Sequence, residues 1–186
     1  MPRTARLTRD DWAAAALAAL AEGGPEAVAV EPVAARLGAS KSSFYWLFAN
    51  RRALLEAALE RWERVQTDEV LPRLAEIADP AERLRRLVHH AFAAAEGSDL
   101  TLRLLTESAD PVVRPVAERV TRRRLAVIEA AFSELGHPPR LARHYATASY
   151  SAYLGTAALR QVGAAPGDPA AYVDALLAAF GIPQAD

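Results

Sequence analysis

A glycine break between two short amphipathic segments restricts what residues 33–48 can fold into. In the sequence VAARLGASKSSFYWLF, one face of the first segment is apolar at helical spacing: Val33, Ala34 and Leu37. Gly38 suits the left-handed conformation that ends a helix. Ser40 can begin the next helix by accepting a hydrogen bond from the backbone N–H of Ser42 or Ser43. The sequence therefore predicts two short helices joined by a tight turn, which is a helix-turn-helix unit.

The second of these helices has an apolar edge and a polar edge. Phe44, Leu47 and Phe48 recur at near-helical spacing and can anchor the helix to a core. The second helix of such a unit can lie in the major groove of DNA. Five side chains are left to face outward there: Lys41, Ser42, Ser43, Tyr45 and Trp46. Packing of both Tyr45 and Trp46 against the core is the alternative, but Phe44 and Phe48 already supply anchors, which favours exposure of at least one.

The charges around this motif have one sign. Lys41 is the only lysine in the chain, and from Pro32 to Arg52 the other charged residues are Arg36, Arg51 and Arg52. A local positive patch is typical of phosphate binding, and a solvated surface is the alternative. Because the 186-residue chain has a net charge of −1, any charge that serves nucleic-acid binding has to be concentrated in such a patch.

The whole chain predicts an all-α protein. Alanine dominates, β-branched residues are sparse, and no segment alternates between apolar and polar residues as a strand does. The length suits one domain, or a small head with a larger body. Turn and cap signals divide the chain into about nine helices. These signals are Thr8, Gly23-Gly24, Asn50, Asp79-Pro80, Gly97, Gly136, Pro138-Pro139, Asp168-Pro169 and Gly181.

Composition and motifs argue against several function classes. Cysteine is absent, which excludes disulfides and thiolate metal sites. No apolar run reaches the length of a membrane span, and no signal-peptide segment follows the N-terminal arginines, so we expect a cytoplasmic protein without a membrane partner. His89 and His90 would point about 100° apart on a helix and cannot easily share an ion. Because catalytic and phosphate-loop motifs are also missing, we expect no enzyme, no metal and no cofactor.

The segment VAARLGASKSSFYWLFANRRALL resembles the head of the TetR family of bacterial transcription regulators. The resemblance spans residues 8–60 and rests on an apolar-Ala-x-x-Leu-Gly-x-Ser turn, an aromatic-Tyr-x-x-Phe motif, and Asn-Arg before a Leu-Leu pair. The later helices resemble the family only in number, length and order. The resemblance implies a helix-turn-helix DNA-binding domain at residues 1–52 and a helical effector-binding and dimerisation domain at residues 53–186.

Family members are usually homodimeric repressors that a small-molecule effector releases from a palindromic operator. The resemblance therefore implies three partners: double-stranded DNA, an unidentified effector and a second copy of the chain. The stretch Ala29-Val30-Glu31-Pro32 lies where many relatives have a phosphate-binding hydroxyl, so that hydroxyl is missing here, and Glu31 would repel DNA that it faced. Carried over by position, the DNA-contacting residues are Lys41, Ser42, Ser43, Tyr45, Trp46, Arg51, Arg3 and Arg6.

The resemblance also implies a pocket and a dimer interface in the body. For the pocket we expect Trp62, Phe92, Arg103, Leu104, Glu107 and Tyr150. Arg103 and Glu107 can equally form an ordinary ion pair, and core packing explains the tyrosines as well as a pocket does. For the interface, where small residues permit close approach, we expect Ala148, Ala152, Gly155, Leu159, Tyr172 and Leu176.

Two alternative functions stay open at this point. One is an adaptor that binds DNA constitutively while its body recruits a protein partner. The other is a helical enzyme in which the helix-turn-helix pattern is incidental.

Overall fold

A computed structural model describes residues 7–93, 95–107 and 109–182, and this part of the chain contains ten α-helices and no β-strand. The all-α prediction is confirmed. A five-residue π-helical turn, Arg64–Asp68, follows the fourth helix. The helices are α1 Arg9–Ala27, α2 Val30–Arg36, α3 Lys41–Tyr45, α4 Arg51–Glu63, α5 Leu71–Ala75, α6 Pro80–Ala93, α7 Ala95–Thr106, α8 Val113–Glu134, α9 Pro139–Gln161 and α10 Pro169–Ala179.

The chain forms two compact units. The head comprises the described residues up to Val65 together with Arg103–Ala117, and the body comprises Gln66–Leu102 and the described residues from Glu118 onward. The boundary predicted after residue 52 falls before most of α4, whereas the compact head includes α4. The reason is that α4 packs along α1 more extensively than any other two helices pack together.

The first helix of the head begins at a reciprocal cap. Thr8 Oγ1 accepts from the Asp11 amide at 3.2 Å, and the Asp11 carboxylate accepts from the Thr8 amide at 2.7 Å. The predicted interruption at Gly23-Gly24 is confirmed, because both residues leave the helical conformation before Pro25–Ala27 completes α1. Gly24 has a φ of 72°, a value that favours glycine.

The two short helices of the predicted helix-turn-helix unit are α2 and α3. Gly38 has a φ of 61°, as a left-handed helix end requires. Ser40 caps α3 by accepting from the Ser43 amide at 3.3 Å. Asn50 caps α4 in the same way, accepting from the Ala53 amide at 3.0 Å. These caps confirm the sequence-based boundaries.

The body is built on α6, α8, α9 and α10. Asp79 and Asp168 accept hydrogen bonds from the first amides of α6 and α10, and both predicted starts are confirmed. α10 and α9 each pack against α6. The buried core of the body includes Leu84, Val88, Ile128, Phe132, Ala142, Ala146, Val173 and Leu177. No described helix has the length and apolar character that crossing a bilayer would require.

The predicted helix end near Gly97 is wrong, because Gly97 lies inside α7. It is buried, and a Cβ there would lie only 3.2 Å from Gln66 Oε1. The glycine therefore permits a close approach of two segments rather than a turn. Pro72 lies in the first turn of α5, where proline is tolerated.

Candidate functional site

A cluster of aromatic rings holds α3 against the head. Phe44 and Phe48 are buried, and their ring centroids lie 5.5 Å and 6.5 Å from that of the fully buried Trp12. The two phenylalanine rings stack on each other at 5.5 Å. This packing fixes the orientation of a helix that is too short to be stable alone.

The opposite side of α3 is exposed, as predicted. Tyr45 is 66% exposed and Trp46 is 81% exposed, whereas the other two tryptophans of the chain are buried. Ser42 is also exposed, but Ser43 is half-buried and donates its hydroxyl to the Ser40 carbonyl at 2.6 Å. We call the exposed residues Lys41, Ser42, Tyr45 and Trp46 the α3 face.

The cations near the α3 face form ion pairs with acidic residues. These acids lie outside residues 32–52, the range in which every charged residue is positive. Lys41 forms an ion pair with Glu31. The hydrogen bond between them lowers the pKa of Glu31 and raises that of Lys41. The other pairs are Arg36 with Glu22, Arg51 with Glu26 at 3.9 Å, and Arg52 with Glu56 at 2.8 Å. Three of these four acids precede the predicted patch and one follows it, so the local count of charges could not show them.

Arg51 forms hydrogen bonds within the head. Its Nε donates to the Val28 carbonyl at 2.8 Å, and its Nη2 donates to the Pro25 carbonyl. The side chain is still 42% exposed, so its predicted phosphate contact stays a prediction. Arg3 and Arg6 lie outside the described residues.

Sequence reasoning missed Arg9 as a contributor to this site. Its Nη1 donates to the Leu47 carbonyl at 3.2 Å, and its guanidinium lies 4.6 Å from the centroid of the Phe48 ring. The cation–π contact and the hydrogen bond fasten the end of α3 to the start of α1. No local pattern indicates this contact, because the partners are almost forty positions apart in the chain.

Two neighbouring cavities of the body share two wall residues. We call the smaller one, of about 70 Å³, the inner cavity, and the larger one, of about 310 Å³, the outer cavity. Phe92 and Tyr153 line both of them, and their rings meet edge to face at 6.0 Å. Arg160 and Tyr172 line the outer cavity.

The polar groups of the inner cavity come from several elements. Arg124 on α8 donates to Thr67 Oγ1, Thr101 Oγ1 and the Gln66 carbonyl at 3.2–3.3 Å. The Tyr153 hydroxyl lies 3.3 Å from Thr101 Oγ1, and burial raises the pKa of Tyr153. The hydroxyl of Tyr150 is buried and has no hydrogen-bond partner among the described residues.

Two of the six residues predicted for a pocket line the inner cavity, namely Phe92 and Tyr150. The other four belong to the head: Trp62, Arg103, Leu104 and Glu107. Within the head, a side chain at Gly24 would meet Glu107 Oε1 at 3.3 Å and Arg103 Nη1 at 3.9 Å. No sequence pattern indicates that Arg124, in a run of three arginines, lines a cavity.

The residues predicted for a dimer interface differ in exposure. Three of them are exposed along α9: Ala148, Gly155 and Leu159. Ala152 and Leu176 are half-buried, and Tyr172 is half-buried beside the outer cavity. Their role in an interface stays a prediction.

A known protein family matches part of the head in sequence. Residues 13–58 match the family model of bacterial regulatory proteins of the tetR family. No curated protein sequence matches the chain.

Solved structures share the fold over nearly the whole chain. The transcriptional regulator FadR of Bacillus subtilis, solved with stearoyl-CoA, is 15% identical, with 90% of this chain and 95% of that chain covered and a TM-score of 0.68. A Saccharomonospora viridis protein solved with choline is 23% identical, with 92% and 94% covered and a TM-score of 0.72. A transcriptional regulator of Rhodococcus sp. is 19% identical, with 97% and 100% covered and a TM-score of 0.72.

Proposed function

We propose that the chain is a member of the tetR family of bacterial regulatory proteins, whose family model matches residues 13–58, and that it is a cytoplasmic, homodimeric transcriptional repressor. In this proposal, the α3 face of each protomer reads one half of a palindromic operator. A small molecule bound in the body releases the DNA.

The observation that carries this proposal is the exposure of the α3 face on a rigidly anchored helix. An 81% exposed tryptophan is unusual for a soluble domain, because large aromatic side chains are normally buried. Its neighbours Lys41, Ser42 and Tyr45 supply a charge and hydroxyl groups. Such a combination suits contacts to phosphates and base edges in a groove.

The two-fold symmetry of the proposed dimer determines how far apart its operator half-sites lie. Two copies of α3 related by a two-fold axis would meet half-sites about 34–36 Å apart, or a multiple of this distance. The exposed small and apolar residues of α9, Ala148, Gly155 and Leu159, offer a surface on which two copies can approach closely. We therefore propose that the dimer interface lies on α9, and that α10 joins it as the resemblance to the family implies.

The effector part of the proposal is supported by the cavities in the body. Regulators with this fold were solved with stearoyl-CoA and with choline, which are chemically unlike each other. A ligand in the body would weaken DNA binding only as far as it prefers the conformation that binds DNA less well. Ligand and DNA must therefore weaken each other by the same factor.

A mobility-shift assay on the DNA upstream of the chain's own gene tests DNA binding. Trp46→Ala should weaken binding about 10- to 100-fold, because it removes a large contact surface at the groove. Trp46→Phe keeps an aromatic ring and should lose less. Thermal melting should show both variants folded, since the side chain supports no core packing.

The same assay tests the repressor mechanism. Binding that a small molecule abolishes supports effector release, and this loss should be greater for the palindromic site than for unrelated DNA. Wild-type protein that binds no duplex at low salt contradicts the proposal. So does Trp46→Ala binding as tightly as wild type.

A further inference from the structure

Tyr150 carries a buried hydroxyl that no described residue satisfies. The residue is only 8% exposed and lines the inner cavity of the body. A buried hydroxyl without a hydrogen bond is unfavourable, and native proteins leave few of them. An occupant of the cavity with a hydrogen-bonding atom would remove this cost.

The other polar groups around the inner cavity indicate which kind of atom this is. Arg124 is held in place at the wall by its three oxygen acceptors, and the described lining residues include no aspartate or glutamate. Gln66, His90, Ser149 and Tyr153 are the remaining polar residues of the lining, and the Tyr153 hydroxyl lies 3.3 Å from Thr101 Oγ1. A lining that combines a guanidinium with a tyrosine hydroxyl in need of an acceptor favours an oxygen acceptor, above all an anionic one, and disfavours a cation.

The rest of the lining calls for an apolar body on the occupant. Leu87, Val88, Phe92 and Ile128 contribute hydrocarbon surface. A volume of about 70 Å³ holds roughly five water-sized groups. The occupant is therefore short, unless a longer tail displaces the rings of Phe92 and Tyr153 and enters the outer cavity.

We propose that the inner cavity binds the oxygen end of a short-chain carboxylate or acyl group, and that the Tyr150 hydroxyl donates a hydrogen bond to that oxygen. This inference rests on the proposed function, because it assigns a chemical class to the effector. It assigns Tyr150 a role in recognising the ligand rather than in packing.

Three probes of equal length test the chemistry on the full chain without DNA: butyrate, butyramide and butylamine. Ligand-observed NMR titrations at millimolar concentration should rank butyrate first, butyramide second and butylamine last. Butyramide keeps the carbonyl acceptor without the charge, so it separates an acyl group from a free carboxylate. Binding of butylamine as tight as that of butyrate contradicts the proposal.

Substitution of one atom tests the role of Tyr150. Tyr150→Phe should weaken butyrate binding about tenfold, because the lost donor faced an ionised acceptor. Tyr145→Phe is the matched control, since Tyr145 lies on the same helix but packs between Phe132 and Phe180 and lines neither cavity. It should leave the affinity unchanged.

The outcomes separate this inference from the proposed function. Equal affinities of Tyr150→Phe, Tyr145→Phe and wild-type protein for butyrate overturn the inference, as does a cavity that takes up only water and none of the three probes. Mobility shifts of the same preparations report DNA binding independently. A protein that binds DNA and ignores all three probes keeps its proposed function and loses this ligand class.

Discussion

Several arginines of the head hold secondary-structure elements together through bonds to main-chain oxygens. Arg51 ties the start of α4 to the carbonyls of Pro25 and Val28, and Arg9 ties α1 to the Leu47 carbonyl after α3. An arginine near a predicted DNA-binding helix is therefore not by itself a sign of a phosphate contact. A test by mutation has to distinguish the loss of these main-chain hydrogen bonds from the loss of a phosphate contact.

Replacement of Arg51 by alanine should destabilise the head. Two main-chain carbonyls would lose a charged donor, which costs about 1–2 kcal/mol at a half-exposed site. Urea unfolding of the full chain measures this change. Arg52→Ala is the control: Arg52 forms only an exposed pair with Glu56, so its loss should stay within about 0.5 kcal/mol. Equal stability of both variants would contradict the structural role of Arg51.

At the level of residues, the sequence predicted local contacts well and distant contacts poorly. Ser40, Asn50, Asp79 and Asp168 were recognised as helix caps because a cap and the amide it binds lie two or three positions apart. The partners of Arg51 lie more than twenty positions away. Only the fold brings such groups together, so no spacing rule indicates them.

At the level of elements, α2 and α3 are joined by an ion pair that would oppose the proposed DNA binding. Glu31 on α2 holds Lys41 of the α3 face, and both side chains are well exposed. A phosphate that approaches Lys41 has to compete with this carboxylate and is repelled by it.

Replacement of Glu31 by glutamine should tighten DNA binding about three- to tenfold at low salt, and the gain should shrink as salt rises. Fluorescence-anisotropy titrations with a labelled duplex measure it. Glu22→Gln removes the same charge from Arg36, which is not part of the α3 face, and should gain less. An equal gain in both variants would point to net charge alone.

A second group of ion pairs joins the start of α1 to the C-terminal end of α4. Asp10 accepts hydrogen bonds from Arg61 and from Arg64, the latter at 2.7 Å. These bonds lower the pKa of Asp10 below its ordinary value of 3.8. Because the folded pKa is depressed, the stabilisation is complete above the unfolded pKa and is lost as the pH falls through the folded value.

Asp10→Asn should therefore lower the free energy of unfolding at pH 7 more than it does in acid. Urea unfolding of the variant and the wild type at pH 7, 5 and 3 gives the comparison. The difference between the two proteins should hold from pH 7 to pH 5 and shrink below about pH 4. A difference that is the same at all three values would show that the loss does not come from the ionised carboxylate.

At the level of the whole molecule, the order of the helices could be predicted, and their number to within one of the ten described, but the inclusion of Arg103–Ala117 in the head could not. Glycine, proline and capping signals set most of the boundaries correctly. Gly97 failed because a buried glycine inside a helix resembles a helix end in the sequence alone. The cavities were beyond prediction, since their walls combine residues from the π-helical turn, α5, α6, α7, α8 and α9.

The account as a whole depends on the α3 face meeting duplex DNA, and the tryptophans allow a direct test. Trp12 and Trp62 are 0% and 1% exposed, so Trp46 is the tryptophan that acrylamide can reach. Acrylamide quenching of the intrinsic fluorescence should be strong for the free protein and fall markedly when operator duplex is bound. Quenching of Trp46→Phe should be weak with or without DNA. Strong quenching that persists in a complex shown to have formed would mean that α3 faces away from the duplex and would contradict the account.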